Sequence, residues 1–499
     1  MLFAHPKYAI VFSNETAARS IYKTGKNLPD KPFRIYNCVF EDNYCFQYAG
    51  GVAIVSPSGT VQIHKCKFKR DSSRVESGAV YVQTRDHSVR YELDSCDFTA
   101  NYSLINSGGF SHINTGFNVD SIVLHVSNSI FFLNKTFAGV GAGINTQLSG
   151  TVKYHSVSIE RSWFESNFTP NGGSGVYVNG GGSGTFIDVS VDRCYFLGNQ
   201  VTSNPLAGAF YYSSTGGDKN RNTITNSVFV YNDGAIASLG GKPGTTDTRV
   251  VNCTFYRNNE APFIKYWDSD INGVTFYMNM EILNSIIWEP QTEGPHTLFY
   301  NNDPMNFNVQ DYLVEHSLIH LSDCTYKGKN PCKDGMRYAL WPNFVDSSGI
   351  SFEVFNCSPG QNGGSNLVVD TFNLTQDYRG KARIATDTVD MGAYEIQGAC
   401  KSSGIAENIG LSQPFYVTVL GNPTPIEKGI SVEVFALRSG DYSVELVRSD
   451  GQVVVRNLKS LPAFLPTLLR IEDDIMPGLY FLKIGDDQGR YQTLKILVY

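Results

Sequence analysis

Three carboxylates and a set of arginine–aromatic pairs are the groups in this chain best spaced for chemistry. Glu160 and Asp192 lie 32 residues apart, each two residues before a serine or cysteine in the same short phrase, and Asp188 precedes Asp192 by four. If that spacing is one turn of a repeat, the two acids fall on adjacent strands about 5 Å apart. Such a pair could bind calcium, raise one another's pKa for acid–base work on a sugar, or form a solvated acidic face. No lysine or arginine stands in the same column to act as the base of a lyase. A second set follows directly: Arg161 with Trp163, and Arg193 with Tyr195, in matching places. Guanidinium groups beside aromatic rings suit a sugar or an anionic glycan, the alternative being that the aromatics cover a corner and the arginines fill a bend.

The repeat that would position these groups is explicit. The phrase [Cys/Ser]-x-[Phe/Ile] occurs ten times, at Cys38, Cys66, Cys96, Ser129, Ser162, Cys194, Ser227, Cys253, Ser285 and Ser317, with gaps of 26 to 33 residues. Self-similarity at this period marks stacked units, each too small to bury its own apolar face. Three residues before every Cys/Ser stands Ile, Leu or Val, and two after it Phe or Ile. Those inward positions are five apart, so a strand of period two cannot bury both unless the chain bends between them. The residue before the Cys/Ser is Asn in five copies (Asn37, Asn128, Asn226, Asn252, Asn284), and Asn tolerates the left-handed conformation of a tight bend. A second Asn column follows three residues beyond the Phe (Asn43, Asn101, Asn134, Asn167, Asn199, Asn232, Asn258), with Asp71 in the second copy, and small-residue corners such as Gly108-Gly109 come after it. The pattern predicts a parallel β-helix of about ten or more coils, with continuous Phe, Ile/Val and Cys/Ser ladders inside.

Composition agrees: 47 Gly, 31 Phe and 28 Tyr with 17% charged residues suit a Gly-cornered, aromatic-stacked β protein. A net charge of −7 without a basic run argues against nucleic acid, and no apolar run is long enough for a transmembrane helix. No Cys or His spacing reads as a metal site. Five cysteines sit on the repeat ladder, where Ser replaces them freely, and read as buried thiols. Cys324 and Cys332 instead bracket a polar loop that either a disulfide or two free thiols would suit. The Gly-rich stretches at 171–175 and 180–182 lack the helix start and Lys-Ser/Thr of a phosphate cradle and read as corners. The Asn-x-Ser/Thr matches at Asn101, Asn134, Asn167 and Asn252 read as ladder residues that precede a hydroxyl.

The Asn-Cys-x-Phe-x-x-Asn phrase resembles the repeats of right-handed, pectate-lyase-like parallel β-helices. The stretch from Pro342 to Glu395 resembles the closing segment of the choice-of-anchor Q group of bacterial surface proteins, through Asn343-Phe344-Val345-Asp346, Ser358-Pro359-Gly360-Gln361-Asn362-Gly363, Asp377-Tyr378-Arg379-Gly380 and Asp390-Met391-Gly392-Ala393-Tyr394-Glu395. Beyond Cys400 the period vanishes. Polar 401–410 reads as a linker, and from Leu411 about seven short strands separated by turn signals predict a small immunoglobulin-like β-sandwich. That end is similar to the C-terminal sorting module of type IX secretion substrates, through Gly421-Asn422-Pro423, Val444 to Val453, Pro477 to Ile484 and the terminal Lys495-Ile496-Leu497-Val498-Tyr499. The resemblance implies export by type IX machinery acting on 411–499 and a secreted or outer-membrane surface location. Met1 to His5 shows no signal-peptide pattern, so the chain is expected to begin inside a longer product or after a removed leader.

The expected architecture is therefore all-β: a right-handed parallel β-helix over 1–400, closing at about 342–400, then a linker and a sandwich over 411–499. Two functions stay open for the rod. One is a surface binder of glycan or of another cell, using Arg161, Trp163, Arg193 and Tyr195. The other is a polysaccharide lyase or glycoside hydrolase using Glu160, Asp188 and Asp192, with calcium as a cofactor if a lyase.

Overall fold

The computed structural model describes residues 2–3, 16–18, 21–24, 32–180, 185–202, 208–214, 219–240, 244–258, 263–266, 276–289, 298–301, 312–324, 330–345, 351–398, 415–420, 430–436, 439–461, 466–471, 475–487 and 489–498. The expected linker, the Gly421-Asn422-Pro423 turn and the loop at 325–329 lie outside them.

One coil shows how the sequence folds. Strand Val152–Glu160 buries Val157 and Ile159, and Arg161 then turns the chain in a left-handed conformation, φ 45°. Strand Trp163–Glu165 buries Phe164, and Ser166, φ 52°, makes a second left-handed turn into the two-residue strand Phe168–Thr169. After a Gly-rich corner the chain returns along Val176–Gly180 to Phe186–Asp192, which pairs parallel with Val152–Glu160, Glu160 opposite Asp192.

Repetition of this unit builds four parallel sheets. A ten-stranded sheet, from Phe33–Tyr36 to Tyr312–Glu315, takes one strand from before the bend in each copy of the phrase. Its twelve-stranded neighbour carries the strands after the bend, from Thr16–Ala18 to Arg337–Tyr338. A short sheet of six two-residue strands runs from Tyr44–Cys45 to Gln200–Val201, and an eleven-stranded return sheet from Leu2–Phe3 to Phe299–Asn301. The solenoid reading holds, and the bend is more uniform than the Asn count suggested. All ten residues before the Cys/Ser are left-handed, φ 45–56°, including Lys65, Ser95, Arg161, Arg193 and His316. The position before the second Asn column is left-handed as well, from Asp42 to Arg257, φ 49–59°, a bend the sequence reading did not locate.

Inside, Phe40, Phe68, Phe98, Phe131, Phe164, Phe196, Phe229 and Phe255 form one stack, with centroids 4.5–5.1 Å apart and rings within 12° of parallel. Glycine closes the corner above it: a Cβ on Gly143 would lie 2.5 Å from the Gly175 carbonyl oxygen and 3.3 Å from Phe164. The Cys/Ser column is a hydrogen-bonded rail, with Ser162 Oγ accepting from Ser129 N at 3.2 Å and donating to Glu160 O at 2.8 Å. Cys38, Cys66, Cys96, Cys194 and Cys253 are free and buried on it, and burial pushes the Cys194 thiol well up. The second Asn column makes an amide ladder. Asn167 Nδ2 donates to Asn199 Oδ1 at 2.9 Å and to Phe131 O at 2.8 Å, and the pattern continues to Asn258, whose amide meets Glu289 at 2.8 Å. Asn101, Asn134, Asn167 and Asn252 are all fully buried, so these sequons present no acceptor amide at the surface.

The C-terminal end has the seven expected strands, with ends within a few residues of those read from sequence except at Val453–Leu461, which runs five further. Phe415–Leu420, Ile430–Ala436 and Pro466–Ile471 form one antiparallel sheet; Val453–Leu461, Gly440–Arg448, Gly478–Gly485 and Tyr491–Val498 form another. They bury one shared apolar cluster including Val432, Leu446, Leu482 and Ile496, as a small β-sandwich does.

Asp71 is the flaw in the amide ladder. Its Oδ1 plays the acceptor role of an Asn, taking Asn43 N at 2.9 Å and Asn43 Nδ2 at 2.8 Å. Its Oδ2, in the amide-nitrogen place, is buried without a partner among the described residues. Burial raises this carboxyl to about 7, so below that pH it carries the proton an Asn would supply. Because the folded-state pKa is above the ordinary value, the contribution is fully present below about pH 4 and lost as pH rises through about 7. Asp71→Asn should therefore leave stability at pH 4 nearly unchanged and raise it by on the order of 2–4 kcal/mol at pH 8, read from denaturant unfolding of the two proteins across that range.

Candidate functional site

The carboxylates expected to work together are next to one another, but each is already engaged. Glu160 meets Arg161 at 3.0 Å; Asp192 accepts from Arg193 Nε at 2.6 Å, Thr225 Oγ1 at 2.7 Å and Asn226 Nδ2 at 2.9 Å. Asp188 is held by Arg221 through two bonds, 2.9 and 2.8 Å. Like charge on adjacent coils is offset here by an arginine one position on or one coil on. Among the described residues no group of three or more His, Cys, Asp or Glu side chains is placed to hold a metal ion.

The arginine–aromatic set divides. Trp163 and Tyr195 stack at 4.2 Å, nearly parallel, so the matching places do meet. Tyr195 is wholly buried, however, packed edge-on against Tyr378, and presents no face to solvent. Trp163 is half-buried and its indole N–H donates to Glu165 at 2.8 Å. Arg193 reaches from Asp192 to Gln376 at 2.5 Å, while Arg161 bridges Glu160 and Asn128. Of the four, Arg161 alone is substantially exposed, at 42% of its side chain.

What covers Tyr195 is the closing segment. Tyr195, Val228, Tyr256, Ile286, Trp288 and Leu318 of the post-bend sheet point outward yet are buried, roofed by Trp341, Phe344, Phe352, Met391 and Tyr394. The residue after the Cys/Ser records this in part: Val39, Lys67, Asp97, Ile130 and Trp163 are a mixed set, whereas Tyr195, Val228, Ile286 and Leu318 are apolar with only Thr254 among them. The first-bend asparagines moor the roof. Asn284 Oδ1 accepts from Ser365 N at 2.8 Å, its Nδ2 donates to Ser365 O at 3.0 Å, and Asn252 Nδ2 donates to Asp390 O at 3.1 Å. Within the roof, Arg383 and Glu395 form a fully buried ion pair at 3.3 Å. Asp377 takes Arg379 N and Lys381 N, and Asp390 takes Asn362 N and Ile396 N at 2.6 and 2.7 Å. The Asp377–Gly380 and Asp390–Glu395 phrases are thus a buried charge lattice; burial raises Glu395 to about 7 despite Arg383 beside it.

The roof also creates a cleft. The helix Asn366–Thr371 stands beside the outer face of the ten-stranded sheet and borders an open cleft of about 610 Å³. Its floor is Asp188, Ser190, Arg221, Thr223, Arg249, Glu281 and Leu283; its wall is Leu367, Val368, Thr371 and Phe372. Arg249 pairs with Glu281 at 2.9 Å, so the floor carries two Arg–carboxylate pairs with hydroxyls between them. Asp188 is the one expected site residue that lines it. Arg221, Arg249 and Glu281 were missed; Arg249 and Glu281 each stand four residues before the Cys/Ser of their copy, and Arg221 six before Ser227, the place Asp188 takes before Cys194. The helix had no periodic signal. No protein-family model matches the chain, and no curated protein matches it.

Removing Arg383 should unlatch the roof. Arg383→Met leaves Glu395 buried without its counter-charge, at a cost of about 3–5 kcal/mol. The expected outcome is a red shift of tryptophan emission, from exposure of Trp288 and Trp341, with protease cutting within 351–398 while the far-ultraviolet β signal of the rod persists.

Proposed function

We propose that this chain is an exported rod displayed at the cell surface, where it binds glycan in the cleft between the ten-stranded sheet and the helix Asn366–Thr371. The observation that carries the reading is the cleft floor: two fixed Arg–carboxylate pairs with Ser190 and Thr223 between them, facing a mostly apolar wall. Sugars need that combination, since their hydroxyls take paired donors and acceptors while their C–H faces lie on apolar surface. Binding is favoured over cleavage because both cleft acids are locked to arginines, which leaves no unpaired acid beside a base. The site moves accordingly from Arg161, Trp163, Arg193 and Tyr195 to Arg221, Arg249, Asp188 and Glu281.

Export rests on the resemblance of 411–499 to type IX sorting modules, and surface display on the likeness of 342–395 to the choice-of-anchor Q closing segment. The bonded pair Cys324–Cys332, S–S 1.97 Å, fits an oxidising compartment.

Two outcomes are expected. On a glycan array, Arg249→Ala should weaken the ligand that the parent retains by tenfold or more, as loss of a charge-assisted bond worth about 1.5–3 kcal/mol requires. Unsaturated or shortened sugars that vanish with Asp188→Asn would establish the lyase or hydrolase instead. Deleting 411–499 should leave the rod's circular dichroism intact and stop export in a type IX host; continued export would remove the sorting assignment.

A further inference from the structure

A second surface lies on the short sheet, away from the cleft. Its outward column is Tyr44, Ser72, Tyr102, Lys135, Phe168 and Gln200, set opposite one another in register. Two residues on, Phe46, Arg74, Leu104 and Phe137 form a parallel column, fixed by Arg74 N to Cys45 O, Leu104 N to Ser73 O and Phe137 N to Ser103 O. Tyr44, Phe46 and Phe137 are 65, 60 and 63% exposed, far from ordinary for large aromatic side chains. Arg74 lies over Phe46 at 5.5 Å and Lys135 over Phe168 at 4.7 Å. Neither column contains a carboxylate.

We propose that this stripe binds a linear anionic polysaccharide running along the rod. Three features select that occupant. The stripe is narrow, since its strands are two residues long, yet it spans six strands, about 24 Å at the interstrand spacing. A bilayer or a globular partner would need breadth that the strands do not have. Its charges are all cationic, each held against a ring, which complements carboxylate or sulfate groups spaced along a chain. Aromatic side chains stand on four of its six coils (Tyr44 and Phe46, Tyr102, Phe137, Phe168), as stacking against sugar rings along one chain requires. The surface is independent of the cleft: the twelve-stranded sheet intervenes between them in the order of the coil.

The test is affinity electrophoresis of the full chain through gels containing polygalacturonate, dextran sulfate or neutral dextran. The parent is expected to be retarded by one or both polyanions and not by dextran, the two arms separating carboxylate from sulfate. Arg74→Glu with Lys135→Glu should cut retention at least tenfold, Phe137→Ala about fivefold, and Arg74→Lys should retain most of it. All these positions are at the surface, and unchanged melting would confirm folding. Retention of the charge-reversed protein equal to the parent overturns the proposal, as does equal retention by dextran. Binding to anionic vesicles, or self-association lost in Phe137→Ala, with no polyanion retardation, would assign the stripe to a membrane or a second copy and equally overturn it.

Discussion

The left-handed residue before each Cys/Ser is the constraint on which the rest of the rod depends. It converts five residues of sequence into two strands that both point inward, and it recurs at ten places with φ within 45–56°. Asn is, among residues with a Cβ, the type that accepts this conformation most cheaply, yet Arg, Lys, Ser and His accept it here, at about 1 kcal/mol or more each. Stacking offsets that strain: once one coil bends, the Phe stack, the Ser/Cys rail and the amide ladder hold the next in the same register. These ladders act together because each passes through every coil, so a shift of one residue would break all three at once.

Function, by contrast, depends on what does not repeat. The outward face of the post-bend sheet is mixed in early coils, with Lys67, Lys69 and Asp97 beside Val39 and Ile130, and mostly apolar from Tyr195 onward, where the closing segment covers it. Covering it required buried carboxylates at Asp377, Asp390 and Glu395, which backbone N–H groups and Arg383 satisfy. The same roof positions the helix beside the sheet and so makes a cleft out of a flat face. A rod alone offers columns; an unrepeated segment beside them turns one stretch into an open cleft.

The periodic parts were therefore legible and the aperiodic parts were not. The ladders, the first bend and the seven C-terminal strands follow from spacing and residue type, each a local property. The adjacency of Glu160 and Asp192 was legible for the same reason, and so was the Trp163–Tyr195 stack. What spacing cannot report is whether a given outward residue meets solvent. Tyr195 is covered by residues about 180 positions later, such as Tyr378, and Arg193 is tied to Gln376 over 183 residues. The loss of charged residues after Asp97 at this column position was the available sign of that cover, a weak one because Val39 and exposed Ile130 share the column.

Unfolding of Phe164→Asp tests the ladder account most directly. Phe164 lies between Phe131 and Phe196, 4.9 and 4.8 Å away, with no exposure. A carboxylate there should remove several kcal/mol, through loss of a buried aromatic and burial of an unpaired charge. The account predicts a large fall in the denaturant midpoint, with amide protection lost in the coils on either side. A midpoint within about 0.5 kcal/mol of the parent would contradict it, because a continuous stack cannot absorb a charge at its centre.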